Sequence, residues 1–234
     1  MPSATTTYRL LVGSVIALLT VTGCQTLDDA GRVVGRADLV NDLAARLDRA
    51  MELTYSADYQ LPGGQTASIS QTQKPARSAY SYPGGKLTVT AEATTTCVTS
   101  GSRTTCTLAP PPVPSNRPSV TVFAEAKQQG LIAPPVVMGL LATAALDPAA
   151  VIKQTDTTVA GRHATCVKVT EVGDSGATPF DACVTTEGVL GSFRGVLDGK
   201  AVELDLTRYQ DSVPATAFDL PPGAGVVDRR TATK

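Results

Sequence analysis

The sequence predicts an α+β fold built around an antiparallel β-sheet. Short runs of alternating polar and apolar residues recur along the chain, separated by Gly-Gly and Pro-Gly pairs, which is typical of strands joined by tight turns. Two pairs of cysteines are spaced so that each pair can meet across a hairpin. The helices are indicated by apolar residues at helical spacing near the N-terminus and by residues 128–146, which carry no charged side chain.

The first residues predict an exported protein. Arg9 precedes an apolar run over residues 10–19, which is too short for a comfortable transmembrane helix and is typical of a secretory signal. The run is followed by Val-Thr-Gly-Cys at residues 21–24, which resembles the bacterial lipobox. That resemblance implies cleavage after residues 1–23 and acylation of Cys24, the first residue of the mature chain. An ordinary signal peptide with a chance cysteine is the alternative.

The predicted lipid anchor leads to a predicted division of the mature chain into a tether, one domain and a tail. Two or three acyl chains hold a protein stably on a membrane, because each buried CH₂ contributes about 0.8 kcal/mol. We expect residues 24–37 to form the lipidated N-terminus and a flexible tether, residues 38–228 to form one domain, and residues 229–234 to form a tail. The protein is then expected at the outer face of a bacterial cell membrane.

The composition argues against several classes of function. The net charge is −1 with acidic and basic residues interspersed, so the sequence lacks the basic patch that nucleic acid requires. Tryptophan is absent and aromatic residues are 4% of the chain, so stacking platforms for bases or sugars are not expected. His163 is the single histidine and no Cys-x-x-Cys pair occurs, so we expect neither a metal site nor a cofactor.

Residues 38–53 predict an amphipathic helix capped by Asp38. Leu39, Leu43 and Leu47 recur at helical spacing and charged residues occupy the opposite face. We expect the apolar stripe to pack on the core. A helix lying on the membrane surface is the alternative, which is disfavoured because the polar face is not basic.

The next part of the chain predicts a β-meander. Alternating residues and Gly or Pro punctuation indicate four short strands, over residues 54–61, 65–72, 77–82 and 86–93. A hairpin follows, in which a turn at Gly101 and Ser102 places Cys97 directly opposite Cys106. The proline-rich residues 110–118 then interrupt the sheet, because proline cannot donate a ladder hydrogen bond.

The middle of the chain predicts two helical segments, over residues 119–129 and 134–146. Two prolines begin the second segment, which suits the first turn of a helix. A helix that is apolar nearly all round must be buried or meet an apolar ligand. Packing on the sheet and lining of a lipid pocket both remain open. The apolar surface of this helix consists of Val136, Val137, Leu140, Leu141, Ala144 and Ala145.

A second hairpin follows, and a turn centred on residues 174–175 places Cys166 opposite Cys183. The same register sets Lys168 beside Asp181, as a stable antiparallel pair requires. We therefore expect two disulfides, Cys97–Cys106 and Cys166–Cys183, chosen from the three connectivities that four cysteines allow.

The turn of this hairpin contains Gly-Asp-Ser-Gly, residues 173–176, the tetrapeptide that surrounds the nucleophile of chymotrypsin-like proteases. Such a site needs Ser, His and Asp from well-separated segments. Here His163 lies only twelve residues before Ser175, on the same hairpin. The tetrapeptide is therefore interpreted as turn chemistry, and no enzymatic activity is expected.

The last predicted hairpin turns at residues 198–199, an Asp-Gly pair that favours a type I′ turn. This register sets Phe193 opposite Leu204 on an apolar face. Gly191 and Gly195 share that face, and glycines there leave room for another element, for curvature or for a void. The hairpin therefore indicates a concave, roomy sheet.

The C-terminal segment resembles the closing strand of the LolA-like lipoprotein carriers, which ends in an aromatic residue, Pro-Pro-x-Gly and a Val-Val/Asp segment. The matching residues here are Phe218, Pro221, Pro222, Gly223, Val226, Val227 and Asp228. The order of elements and the lipobox are also similar to those of mycobacterial lipid-transfer lipoproteins. The resemblance implies a curved antiparallel sheet, an incomplete β-barrel, with helices packed on its concave face, where acyl chains bind. This chain departs from the soluble carriers in its anchor, its disulfides and its few aromatic residues.

The leading functional hypothesis is a monomeric, membrane-anchored lipoprotein that binds a lipid or lipoglycan in an apolar cavity between sheet and helices. The alternative is an accessory or signalling lipoprotein of the same fold whose core is filled and which has no lipid ligand. The residues expected to contact an acyl chain are Val137, Leu140, Leu141, Ala144, Phe193 and Leu204.

Overall fold

A computed structural model of the chain describes residues 24–112, 120–172 and 178–230, with side chains from Gly35 onward. The predicted signal peptide, the predicted turn at residues 174–175 and the end of the tail lie outside the described residues. The chain divides into two compact units, Met1–Leu39 and Val40–Lys234.

The described helices are α1 (Cys24–Ala50), α2 (Ala124–Gln128) and α3 (Pro134–Leu146). Short 3₁₀ turns occupy Pro62–Gly64, Val120–Phe123 and Ala215–Phe218. Among the described residues, none of the helices combines the length and the hydrophobicity needed to cross a membrane.

Helix α1 begins earlier than the sequence predicted. Asp38 was expected to cap it, but the helix already runs from Cys24. The predicted start was wrong because residues 24–37 contain no proline, and an isolated glycine such as Gly31 costs a helix only about 1 kcal/mol. The role of residues 24–37 as a tether stays a prediction. The predicted apolar stripe is confirmed from Val40 onward, since Leu43 and Leu47 are fully buried.

Helix α3 has the predicted bounds, with two prolines in its first turn. Leu131, Ile132 and Ala133 lead into it and are fully buried. The uncharged segment is therefore part of the core, although Leu146 at its end is exposed.

The strands of the described residues form a single sheet of twelve. In chain order, β1 to β12 are Tyr55–Gln60, Thr66–Gln73, Ala76–Tyr82, Gly85–Val89, Thr94–Ser100, Arg103–Ala109, Val151–Val159, Arg162–Thr170, Phe180–Thr185, Leu190–Leu197, Lys200–Gln210 and Gly225–Asp228.

The sheet is large, unclosed and mostly antiparallel. Its order is β12-β6-β5-β4-β3-β2-β1-β11-β10-β9-β8-β7, so β12 and β7 are its edges. The pairing of β12 with β6 is parallel, which makes the sheet mixed. An α+β class is thus confirmed, with most strands joined to their neighbours by hairpins, as the turn signals predicted.

Both predicted disulfides are confirmed. Cys97 lies opposite Cys106 on β5 and β6, and Cys166 lies opposite Cys183 on β8 and β9. The first hairpin turns at Gly101, whose φ is +60°, as a Gly-first turn requires.

The predicted registers of the other pairs also hold. Lys168 faces Asp181 on β8 and β9, and Phe193 faces Leu204 on β10 and β11. The cross-strand pattern of charge and hydrophobicity was therefore enough to set the register of these hairpins.

The two faces of the sheet differ in their side chains. The inner face, defined here as the side that carries Tyr59, Ile69 and Phe193, is rich in large buried residues. Tyr80 on this face packs edge-to-face against Phe123, just before α2, with ring centroids 4.9 Å apart. The outer face carries small side chains such as Ala79, which alternates with Tyr80 along β3.

A C-terminal strap, residues 211–224, connects β11 to β12 along this outer face. Ser56 donates a hydrogen bond from Oγ to the carbonyl of Ser212 at 2.8 Å. Further along, Lys86 donates from Nζ to the carbonyl of Asp219 at 2.6 Å. Burial lowers the pKa of the Lys86 ammonium, an effect that the charge of Asp219 opposes.

Candidate functional site

The residues predicted to contact an acyl chain are mostly in the packed core. Within α3, Val137, Leu141 and Ala144 are fully buried, and Leu140 is half-buried. On the sheet, Phe193 and Leu204 are also fully buried.

The room that the inward glycines were expected to leave is occupied. The Phe193 ring stacks on the Phe180 ring with centroids 5.8 Å apart. A Cβ built at Gly195 would lie 3.0 Å from the Cβ of Phe180 and 3.2 Å from the Phe193 ring. At Gly191 the corresponding space is taken by the Val159 side chain, 3.5 Å away. These glycines therefore allow close packing of neighbouring side chains.

An open groove of about 480 Å³ lies elsewhere on the inner face, at the ends of β2, β3 and β4. Met51, just after α1, stands on one side, and Pro111 and Pro112, just after β6, line it as well. Neither Phe193 nor α3 contributes to it. The lining side chains are Met51, Gln71, Thr72, Gln73, Ala76, Arg77, Ser78, Tyr80, Val89, Thr90, Ala91, Pro111 and Pro112.

The two glutamines of the groove hold its wall in place. The Gln71 amide donates to the carbonyls of Ala50 and Leu53, at 3.1 and 2.9 Å. The Gln73 amide donates to the carbonyls of Met51 and Leu53, both at 3.0 Å. These bonds supply donors to carbonyls at and just beyond the end of α1, where a helix leaves its last carbonyls without intrahelical partners, and they fix Met51 beside β2.

The hydroxyl groups of the groove are bonded as well. Thr72 donates to the carbonyl of Pro75 at 2.8 Å, and Thr90 is bonded to the backbone of Ala93. Burial raises the pKa of Tyr80 to about 12, and a hydrogen bond with Ser78 opposes that rise. The groove therefore offers a ligand mainly apolar contacts, because its amides and hydroxyls are already in use.

Arg77 differs from the other polar residues of the groove. It lies near the start of β3, in the position that alternates onto the outer face, so it stands at the rim. Its guanidinium carbon is 4.2 Å from the centre of the Phe218 ring in the C-terminal strap. Its Nε is buried and without a hydrogen-bond partner among the described residues.

A second open depression, of about 440 Å³, lies near the ends of β8 to β11. Its charges are already paired within the chain. Lys168 lies 3.8 Å from Asp181, and Arg194 lies 2.8 Å from Glu203. The basic residues of this depression therefore have carboxylate partners, whereas Arg77 has none among the described residues.

The remaining predicted positions have simple placements. Cys24 is the first residue of α1, and its side chain is outside the described part of the chain. His163 is an exposed residue of β8 whose carbonyl accepts hydrogen bonds from Thr186. Within the described ranges, no group of three or more His, Cys, Asp or Glu side chains could hold a metal ion.

The groove was missed at the level of sequence. Met51 lies within the helix predicted over residues 38–53, and Arg77 is one arginine in a polar strand with no distinguishing spacing. The prolines at 111–112 were interpreted as an interruption of the sheet. Their meeting depends on contacts between residues far apart in the chain, which local patterns do not reveal.

Comparison with known proteins does not identify the chain. No family model matches it, and no curated protein matches it. Among solved structures, it is similar to an uncharacterized conserved protein from Thermus thermophilus. The identity is 9%, the match covers 81% of this chain and 98% of that one, and the TM-score is 0.46. A similarity this weak assigns neither a family nor a function.

Proposed function

We propose that the protein is an exported lipoprotein, anchored to the outer face of a bacterial cell membrane through Cys24, that binds an acyl chain of a lipid or lipoglycan. In this proposal the sheet is a curved, incomplete barrel of LolA-like form with helices on its concave face, and the protein acts as a monomer. The observation that carries the proposal is the open groove on the inner face, whose volume of about 480 Å³ falls in the range of small-ligand sites.

The chemistry of the groove suits a flexible apolar ligand. Met51 and Val89 offer aliphatic contacts, while Tyr80 and Pro112 offer flat ones. Removing an acyl chain from water contributes roughly 25 cal/mol per Å² of apolar area, without any need for directional bonds. Methionine adapts its shape to such ligands, since its side chain is unbranched and flexible.

The proposal moves the acyl chain away from the residues first expected to contact it. Phe193, Leu204 and the buried stripe of α3 become the rigid interior that supports the inner face. The groove is formed at the periphery of this interior, where Met51 and the prolines approach the sheet.

A pair of matched variants tests the groove. Ala91 is exposed and lines the groove, whereas Ala201 is exposed and lines the second depression. We expect the purified full chain to bind cis-parinaric acid saturably. Ala91→Phe fills the groove and should weaken binding by roughly tenfold or more, because about 1.4 kcal/mol of lost contact is a factor of ten. Ala201→Phe should bind as the unaltered protein does. Absence of saturable binding, or equal loss in both variants, contradicts an acyl site in the groove.

Anchoring is tested separately. The proposal expects incorporation of an alkyne-labelled fatty acid into the exported chain, lost in Cys24→Ala, with the variant released from the membrane fraction. Labelling that survives Cys24→Ala would place the lipid elsewhere or show that none is attached at this residue.

A second candidate is an accessory or signalling lipoprotein with a filled core and no lipid ligand. The full burial of Val137, Leu141, Ala144, Phe193 and Leu204 favours it, since the cavity first expected there is occupied by side chains. Under this candidate, cis-parinaric acid binds neither the unaltered protein nor Ala91→Phe, while labelling at Cys24 persists.

A further inference from the structure

Arg77 is a partly buried cation without an anionic partner in the described part of the chain. Its side chain takes part in no ion pair and no hydrogen bond there, and the single described interaction of that side chain is with the Phe218 ring. Removing a guanidinium from water is costly unless hydrogen bonds or a counter-charge replace the lost hydration. The aromatic ring compensates part of this cost, but it does not bond the Nε–H.

Several other arginines of the domain are paired with carboxylates, whereas Arg77 is partly buried without such a partner among the described residues. Arg46 lies 2.6 Å from Asp42, Arg162 lies 2.7 Å from Glu187, and Arg194 contacts both Glu203 and Asp205. Arg77 is also the one polar side chain of the groove without an internal hydrogen bond among the described residues.

The position of Arg77 fits the polar end of an amphiphile. The apolar part of the groove extends along the inner face past Tyr80 and Val89, while Arg77 stands at its rim. A chain seated in the groove would therefore bring its head to the guanidinium. Arginine binds carboxylate and phosphate groups through paired N–H donors, and the two terminal nitrogens of the Arg77 guanidinium, unlike its buried Nε, are not among the buried unpaired atoms.

We propose, building on the function proposed above, that the ligand is an amphiphile with an anionic head, a carboxylate or a phosphate monoester or diester, and that Arg77 is the specificity-determining residue that binds this head. Phe218 acts as a positioning residue, because its ring holds the guanidinium at the rim. The C-terminal strap thereby contributes to ligand selection although it runs along the outer face.

The test compares two probes that share one chain. Cis-parinaric acid carries a carboxylate and its methyl ester does not. We expect the full chain to bind the acid roughly tenfold more tightly than the ester, as a charge-assisted hydrogen bond would give. Arg77→Met should reduce the affinity for the acid to that for the ester and leave the ester unaffected. Arg103→Met, at the exposed tip of the β5–β6 hairpin, is the matched control and should change neither affinity.

The outcomes separate this inference from the proposed function. Equal binding of acid and ester by the unaltered protein overturns the role of Arg77 while the acyl site stands. Failure of both probes to bind overturns the proposed function itself. Because the comparison of acid with ester needs no variant, equal binding would overturn the role of Arg77 even if Arg77→Met fails to fold.

A further arm distinguishes an amphiphile from a free anion. Inorganic phosphate, titrated alone, should displace cis-parinaric acid weakly, because it cannot occupy the apolar part of the groove. Full displacement at concentrations comparable to that of the acid would show a free-anion site and overturn the assignment of an amphiphile.

The positioning role of Phe218 is tested by Phe218→Leu. This variant should reduce the preference for acid over ester without changing the affinity for the ester, whereas a purely structural role would lower the affinity for both probes together.

Discussion

Two regions of the inner face carry apolar side chains, which are closely packed in one region and line an open groove in the other. Around Phe193 the side chains pack closely. A Cβ added at Gly191 or Gly195 would lie at van der Waals distance from its neighbours or nearer. Beside Met51, the same face opens into a groove whose polar lining is bonded internally, apart from Arg77. The most closely packed apolar side chains therefore form the core of this protein, whereas the candidate site lies at the periphery of that core.

The greatest loss of stability should come from opening the closed region. Phe193→Ala removes a fully buried ring stacked on Phe180 and should lower the free energy of unfolding by about 3–5 kcal/mol. Val196→Ala, on the same strand but exposed on the other face, is the control and should change it by less than about 0.5 kcal/mol. Denaturant unfolding measures both. Similar small losses in the two variants would mean that the region around Phe193 is not closely packed.

The next effect tests how closely α1 approaches the sheet. Gly188 has φ of +91°, and a Cβ there would lie 2.0 Å from the Arg46 carbonyl oxygen. Gly188→Ala should therefore cost about 2–4 kcal/mol, since both backbone and helix must move. Gly161→Ala shares the left-handed conformation, with φ of +75°, but faces open space, so it should cost only about 1 kcal/mol. Equal costs measured by thermal unfolding would show that contact with α1 does not matter.

The weakest of the three effects appears only at alkaline pH. Burial raises the pKa of Tyr80 from 10.0 to about 12 in the folded protein. The unfolded chain therefore loses the phenolic proton first, so the stabilisation is complete below pH 10 and is lost as the pH rises from 10 to 12. Between pH 10 and 12 the free energy of unfolding of the unaltered protein should fall by about 2–3 kcal/mol more than that of Tyr80→Phe. Denaturant unfolding at each pH measures both. Parallel losses in the two proteins would contradict a buried, protonated Tyr80 at the boundary of the groove.

Local patterns predicted much of the sheet. Alternation and turn residues indicated most strands, and opposed charges such as Lys168 and Asp181 set a register that the structure confirms. The start of α1 was placed wrongly because a favourable cap at Asp38 is a local preference that a continuing helix can override. The groove could not be predicted, because its walls come from the end of α1, from β2 to β4 and from the prolines after β6.

The order of amino acids was sufficient to predict the pairing of strands within hairpins, both disulfides and the bounds of the uncharged helix. Each of these depends on side-chain period, turn geometry or hydrophobicity over a short length of chain. The folded chain was needed to show that neighbouring side chains fill the space beside the inward glycines, and that Arg77, held by Phe218, stands unpaired at the rim of an open groove. Such features arise from contacts between distant residues, where packing of the whole chain determines which apolar surfaces are closed and which stay open.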